Sequence, residues 1–201
     1  MGPGLAPDHE RALVARARAE ADSFRELYAH YFPRLYAYVA ARVDTVQDAE
    51  DVVADTFFRA VAQLDRFEDR GAGSFGAWLF QIARHRLTDF WRQRGQHPSV
   101  LSLDTTDGLL DGLAEPALPA PLRPEAAAEH AEQVALMRQL VATLSPRRQE
   151  VIQLKFFAGL RNQEIAAVLG LDERTVASHL CRGLQNLHRQ YLAHAVDPLP
   201  T

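Results

Sequence analysis

Apolar residues recur every three or four positions through most of the chain, the spacing that places them on one face of an α-helix. The first half of the chain predicts four such helices. Asp22 or Ser23 can cap the first, and Pro33 suits the first turn of the second. The third runs from about residue 46 to 64, and the fourth from about 75 to 92 after Ser74 as its cap. Strand patterns are nearly absent, so the fold class predicted is all-α.

Helical periodicity stops at about residue 95 and returns at about residue 131. The intervening stretch is rich in proline, glycine and acidic residues, a composition typical of a linker. We therefore predict two small helical domains, residues 22–95 and 131–194, joined by an acidic Pro-rich linker over 96–130. A partly helical extension, 1–21, precedes them, and a tail, 195–201, follows.

A helix-turn-helix pattern lies inside the second domain. A short helix is predicted for Asn162–Leu169, a turn for Gly170–Asp172, and a second helix for Glu173–Leu187. Ala166 suits the point where the two helices nearly touch, and Val176 suits the small core between them. The early turns of the second helix carry five polar candidates for DNA contact: Arg174, Thr175, Ser178, His179 and Arg182. An ordinary helical hairpin with solvated polar residues would show the same spacing.

Acidic and basic residues are segregated along the chain, although the formal net charge is only −4. Residues 44–69 carry eight acidic side chains against two arginines. The short stretch 84–94 has four arginines against one aspartate, and 145–194 is also basic. This separation predicts two kinds of partner, one of them nucleic acid.

The third predicted helix should present an acidic patch opposite its apolar stripe. Its members fall at helical spacings of three and four: Asp48, Asp51, Asp55 and Phe58. Such a patch is often only solvated, but an outward phenylalanine among carboxylates suits docking on a basic protein helix.

The fourth predicted helix should present a basic and polar face. Arg84, His85, Thr88 and Arg92 lie together on it, away from the apolar side. Phe75 and Trp78 follow a glycine-containing stretch, where an aromatic ring could hold an unstacked base. Aromatic residues at this spacing are also typical of a core.

Several ordered motifs resemble the sigma-70 superfamily, specifically its small extracytoplasmic-function group. The segment 49–60 (AEDVVADTFFRA) resembles the polymerase-binding part of region 2, and 78–84 (WLFQIAR) with Asp89 and Arg92 resembles its promoter-melting and minus-10 part. Region 4 is matched by 144–148 (LSPRR), by 164–166 (EIA) with 169–170, and by 175–178 (TVAS).

This resemblance implies a function and a set of partners. The acidic helix, with Asp48, Asp51, Asp55 and Phe58, would bind core RNA polymerase. Region 2 would contact the minus-10 promoter DNA through five residues: Phe75, Arg84, His85, Thr88 and Arg92. Region 4 would contact the minus-35 element through Arg174, Thr175, Ser178, His179 and Arg182. A separate anti-sigma factor is the regulator that the family implies, and the linker would pass near the polymerase active-site cleft.

The chain departs from the family pattern at four positions. His85 stands where an asparagine is usual, and Ala177, His179 and Leu184 replace residues that are often lysine or arginine. Fewer cations should weaken phosphate contacts and make DNA binding less dependent on salt.

Other classes of function fit the sequence less well. A stand-alone helix-turn-helix regulator would leave residues 22–95 unexplained, whereas a sigma-like protein that only sequesters a regulator stays open. An enzyme is disfavoured, because no metal-ligand spacing, phosphate-binding glycine loop or nucleophile motif is present. We expect no cofactor, metal, disulfide or membrane insertion, and a cytoplasmic location.

Overall fold

The computed structural model describes residues 5–71, 73–95 and 136–196. The predicted linker, residues 131–135 and the tail beyond 196 lie outside the described residues. The α-helices follow in chain order: α1 Pro7–Ala17, α2 Ala21–Ala40, α3 Val46–Gln63, α4 Ser74–Gln93, α5 over 136–142, α6 Pro146–Phe156, α7 Asn162–Leu169 and α8 Glu173–Val196. A 3-10 turn, Leu64–Arg66, follows α3. No strand occurs within these ranges, so the all-α prediction is confirmed.

Helix α2 is continuous through Pro33, so the predicted helix start at this proline is wrong. Pro33 is exposed, and buried side chains such as Tyr31, Leu35 and Tyr38 hold the helix against the rest of the domain on both sides of it. A proline in a helix interior removes one backbone hydrogen bond. Tertiary packing therefore outweighs the local cost at this position.

Helix α1 belongs to the first domain. Leu13 and Val14 are buried, and α1 packs on α2. Glu10 of α1 is also buried and accepts a hydrogen bond from the Tyr31 hydroxyl. The first domain thus includes a helix of the predicted extension.

Helices α7 and α8 form the predicted helix-turn-helix. Gly170 has φ of 64°, the left-handed conformation that lets α7 end and the chain turn. Asp172 then accepts from the backbone N–H of Thr175 at 2.8 Å, which caps the start of α8. Val176 is fully buried and Ala166 nearly so, as the spacing predicted. Helix α8 continues to Val196, nine residues past its predicted end.

The two domains contact each other through α4 and α7. Gln81 Nε2 donates to the backbone carbonyl of Ala167 at 2.6 Å, and Arg84 Nε donates to Glu150 Oε1 of α6 at 2.7 Å. Arg34 of α2 donates to the carbonyl of Ala158 at 2.7 Å. These bonds place the second domain against the polar face of α4.

Candidate nucleic-acid and protein-binding surfaces

Helix α3 presents a narrower acidic face than its sequence predicts. Asp51 is exposed, and Phe58 keeps 73% of its surface in solvent, beside the half-exposed Val61. These three side chains form what we call the α3 face. An exposed phenylalanine and a carboxylate on one helix suit a partner that offers both an apolar pocket and a cation.

Asp48 is not on that face, so its predicted exposure is wrong. Only 8% of its surface is exposed, and its Oδ2 accepts at 3.1 Å from Nη1 of Arg94, the C-cap residue of α4. Its backbone N–H donates to the side chain of Thr45, the N-cap of α3. The ion pair with Arg94 holds the Asp48 carboxylate against the end of α4 and away from solvent.

Asp55 is half-buried and also takes part in the packing of α3 on α4. It forms an ion pair with Arg86 of α4, and it accepts from Arg59 one turn along α3 at 3.3 Å. Arg86, which the helical pattern places toward the apolar side of α4, thereby finds its partner. Asp55 therefore stabilises the fold, whatever it contributes to binding.

Helix α4 carries a polar face with uneven exposure. His85, Thr88 and Arg92 are exposed, and Arg92 lies 3.5 Å from Asp89 on its own helix. Arg84 instead pairs with Glu150 of the second domain. Burial alone would lower the pKa of Arg84, but the hydrogen bond and charge of Glu150 outweigh it and raise that pKa.

Phe75 is a core residue, the alternative that its spacing also predicted, and its ring is not open to a base in this structure. Only 1% of its surface is exposed, and its ring centroid lies 5.5–5.7 Å from those of Tyr31, Phe67 and Trp78. Helix α4 begins at Ser74 with Gly73 as its N-cap, so Ser74 is not the cap. The first turn of α4 therefore points its phenylalanine inward, and Trp78 is only half-buried.

Helix α8 presents most of its predicted polar residues to solvent. Arg174, Ser178 and Arg182 are exposed and share one side of the helix, while Thr175 and His179 are half-buried. The Thr175 hydroxyl donates to Asp172 Oδ2 at 2.6 Å, so it belongs to the helix cap. That hydrogen bond, followed by one from the Thr175 backbone, lowers the pKa of Asp172 and keeps the cap ionised.

Some surface features are absent from the sequence prediction. Five large apolar residues in the described part of the second domain are exposed: Met137, Phe156, Leu184, Tyr191 and Leu192. Leu184, Tyr191 and Leu192 recur at spacings of seven and eight along α8. The sequence shows this repeat, but the spacing alone predicts that these side chains are buried in the core. Only the packing of α8 reveals that they are exposed.

The described residues hold neither a metal cluster nor a spanning helix. No group of three histidine, cysteine or acidic side chains in the described ranges could ligate a metal ion. None of the described helices has the length and apolar content needed to cross a membrane. Cys181 is exposed and free.

Comparison with known families matches both domains. Sigma-70 region 2 matches residues 27–97, and Sigma-70 region 4 matches residues 135–187. The chain is 34% identical over 179 residues to the ECF RNA polymerase sigma factor BldN of Streptomyces coelicolor, covering 88% of this chain but 64% of BldN. It is 30% identical over 206 residues to the ECF sigma factor SigD of Mycobacterium tuberculosis, covering 96% of this chain and 90% of SigD.

Solved structures share the fold. CnrH in complex with the cytosolic domain of CnrY is 27% identical, with a TM-score of 0.62 over 92% of this chain and 99% of that one. RpoE of Bartonella quintana, solved with the anti-sigma factor NepR, is 25% identical, with a TM-score of 0.57 over 83% and 94% of the two chains. The helix-turn-helix, the paired domains and these relatives together show that the chain belongs to the ECF RNA polymerase sigma factors of the sigma-70 family.

Proposed function

We propose that this chain binds core RNA polymerase through the α3 face, contacts minus-10 DNA through α4, and contacts minus-35 DNA through α8. The observation that carries the proposal is the exposed polar side of α8, where Arg174, Ser178 and Arg182 lie on the second helix of a helix-turn-helix. The relatives are sigma factors, which supports the assignment. The chain has no catalytic step of its own in this proposal and acts in the cytoplasm.

The predicted contact residues have different roles in this proposal, according to how exposed each side chain is. Asp51 and Phe58 bind polymerase, whereas Asp48 and Asp55 support the helix that presents them. In the minus-10 group, His85, Thr88 and Arg92 are accessible, Arg84 becomes accessible when its bond to Glu150 breaks, and Phe75 acts by holding α4 in place. In the minus-35 group, Thr175 and His179 shape the helix surface beside the exposed arginines.

An anti-sigma factor is part of the proposal. RpoE of Bartonella quintana was solved with an anti-sigma factor. A comparable separate protein would hold this chain inactive by covering the surfaces named above. Co-purification with tagged chain from its host, followed by peptide sequencing, would identify it.

Run-off transcription with purified core polymerase tests the two main surfaces. Asp51→Arg/Phe58→Ala should lose core binding in gel filtration, since it removes the carboxylate and the most exposed apolar side chain of the α3 face. Glu68→Arg, on an exposed loop of the same domain, is the matched control and should bind normally.

Arg174→Ala/Arg182→Ala should bind core polymerase but lose promoter selection. Each lost phosphate contact should reduce the salt slope of DNA binding by about one. Arg189→Ala, exposed farther along α8, is the control. If wild type never associates with core polymerase yet binds duplex DNA alone, the polymerase-directed function is wrong.

A further inference from the structure

A cavity of about 490 Å³ lies between the two domains. Its walls come from α2, from Arg42 just after α2, and from α4 of the first domain, and from α6 of the second. Cavities of roughly 300–1,000 Å³ hold small molecules in other proteins. The size of this cavity therefore suits a ligand larger than a few water molecules.

Three buried side chains that line this cavity each have a polar atom without a partner. Tyr38 is fully buried, and Gln149 and Gln153 are each 2% exposed. Within the described residues, no hydrogen bond reaches Tyr38 Oη, Gln149 Oε1 or Gln153 Nε2. Leaving a buried polar atom without a hydrogen-bond partner is unfavourable, so three such atoms around one space indicate a polar occupant.

The orientation of the Gln149 amide group is fixed by two hydrogen bonds. Its Nε2 donates to the backbone carbonyls of Val141 and Ala142 at 2.9 and 2.8 Å. The amide nitrogen is thus committed to the end of α5, and the amide oxygen is left without a donor.

The cavity is also positively charged. Arg42, Arg84 and Arg147 line it, and Glu150 is the one acidic residue among the lining side chains. Arg84 and Arg147 both lie near Glu150, at 2.7 and 3.3 Å, so they share one negative charge. The four side chains leave a net charge of +2.

Arg42 is held in place without a carboxylate. Its guanidinium lies 3.7 Å from the centroid of the Tyr38 ring, and Nη1 donates to the Tyr38 carbonyl at 3.0 Å. The second nitrogen, Nη2, is buried and has no partner in the described protein. Burial lowers the pKa of Arg42, because neither Tyr38 nor Glu150 fully offsets the lost hydration. An anion beside the guanidinium would offset part of the hydration that burial removes.

We propose that this interdomain cavity binds a small phosphorylated metabolite. A phosphate monoester carries a charge of about −1.5 to −2 near neutral pH, which matches the net charge of the site. Its phosphate oxygens would accept from Arg42 Nη2, Tyr38 Oη and Gln153 Nε2, and a hydroxyl group of the metabolite would donate to Gln149 Oε1. The apolar part of the metabolite would lie against Leu87 and Trp91, which also line the cavity.

Binding would hold the two domains together, because both contribute donors. Arg84 and Thr88 of the proposed minus-10 surface line the same cavity. A bound metabolite would therefore compete with promoter DNA for α4. This consequence rests on the proposed function, whereas the binding itself does not.

The test measures binding to the free full-length chain, so it is independent of transcription. Binding is measured by isothermal titration calorimetry and by thermal unfolding. The probes are inorganic phosphate and adenosine 5′-monophosphate, and sodium chloride at equal ionic strength is the control. We expect saturable binding and a higher melting temperature with both probes, with the nucleotide binding more tightly because it also contacts Trp91.

Tyr38→Phe is the sharpest variant. It should unfold at the same temperature as wild type or higher without ligand, since it removes an unpaired buried hydroxyl, yet bind phosphate roughly tenfold or more weakly. Tyr36→Phe removes a hydroxyl from the same helix outside the cavity, and it should bind like wild type. Gln153→Met is a second loss-of-donor variant.

Several results would overturn the proposal. One is the absence of saturable binding at millimolar phosphate or nucleotide. Another is equal binding by wild type, Tyr38→Phe and Gln153→Met. Binding of a short single-stranded oligonucleotide that depends on Tyr38, with no binding of either small probe, would assign the cavity to nucleic acid instead.

Discussion

Two phenylalanines of the first domain lie on adjacent helices, yet their surroundings differ completely. Phe75 is packed among aromatic rings, and Phe58 keeps 73% of its surface exposed. The aromatic type by itself does not distinguish a core residue from a binding residue. Exposure decides, because an apolar ring in water contributes nothing to the fold but is available to a partner.

Phe75→Ala should therefore lower the free energy of unfolding by about 3–5 kcal/mol, the usual cost of deleting a fully packed ring. Phe58→Ala should change it by less than about 0.5 kcal/mol. Urea unfolding followed by circular dichroism measures both. Similar small losses for the two variants would contradict the core placement of Phe75.

Glu10 gives a pH-dependent prediction. Burial raises its pKa above 4.5 more than the hydrogen bond from Tyr31 lowers it. The folded chain thus holds this proton more tightly than the unfolded chain does. The stability from this group is fully present below pH 4.5 and is lost as pH rises through the raised folded-state pKa.

Glu10→Gln is neutral at every pH, so its free energy of unfolding should not fall in this way as the pH rises. Its unfolding free energy relative to wild type should increase as pH rises from 4.5 toward neutrality, measured by urea unfolding at a series of pH values. Glu68→Gln makes the same change at an exposed position and should give no such trend. A difference between Glu10→Gln and wild type that is constant with pH would refute the raised pKa.

At the scale of elements, the turn between α7 and α8 depends on one backbone conformation. Gly170 has φ of 64°, and an added Cβ would meet no atom within 4 Å. Any cost of a side chain there is conformational and not steric. Asp172 then caps α8, so the short turn both ends one helix and begins the next.

Gly170→Ala should destabilise the second domain by about 1–2 kcal/mol, the cost of the left-handed conformation for a residue with a Cβ. Gly170→Asn should cost less, because asparagine adopts this conformation more readily. Thermal unfolding of the two variants checks the order. Equal melting temperatures for glycine, asparagine and alanine would show that the turn adopts another conformation.

At the scale of the whole molecule, the second domain covers part of the polar face of α4. The contact includes Gln81 with the Ala167 carbonyl, and Arg84 with Glu150. The side chains of Arg84 and Glu150 are 38% and 20% exposed, so their ion pair is partly screened by water. For Arg84 to contact DNA, this bond must break and the domains must separate locally.

Glu150→Arg should favour that separation, because it places a third arginine beside Arg84 and Arg147. The contact should weaken on the order of 1 kcal/mol for a partly exposed pair. Small-angle X-ray scattering should show a larger radius of gyration than for wild type. Asp65→Arg makes the same charge change on an exposed turn and should leave the radius unchanged. An unchanged radius for Glu150→Arg would mean that the packing of α4 on α7 holds the domains without this pair.

The sequence by itself determined the all-α class and the helix-turn-helix. Helical periodicity, the Gly170 turn and the Asp172 cap are local properties, set by residues within a few positions of one another. The polar side of α8 could also be predicted, since Arg174, Ser178 and Arg182 project to one side of any helix that starts at Glu173.

Tertiary structure decided which polar and aromatic residues remain available. Asp48 and Asp55 were drawn into pairs with Arg94 and Arg86, Pro33 was kept inside a helix, and the interdomain cavity formed around Arg42. These outcomes depend on residues tens of positions apart in the chain. Periodicity assigns a residue to a face of its own helix, but only packing between helices determines which neighbour meets that face.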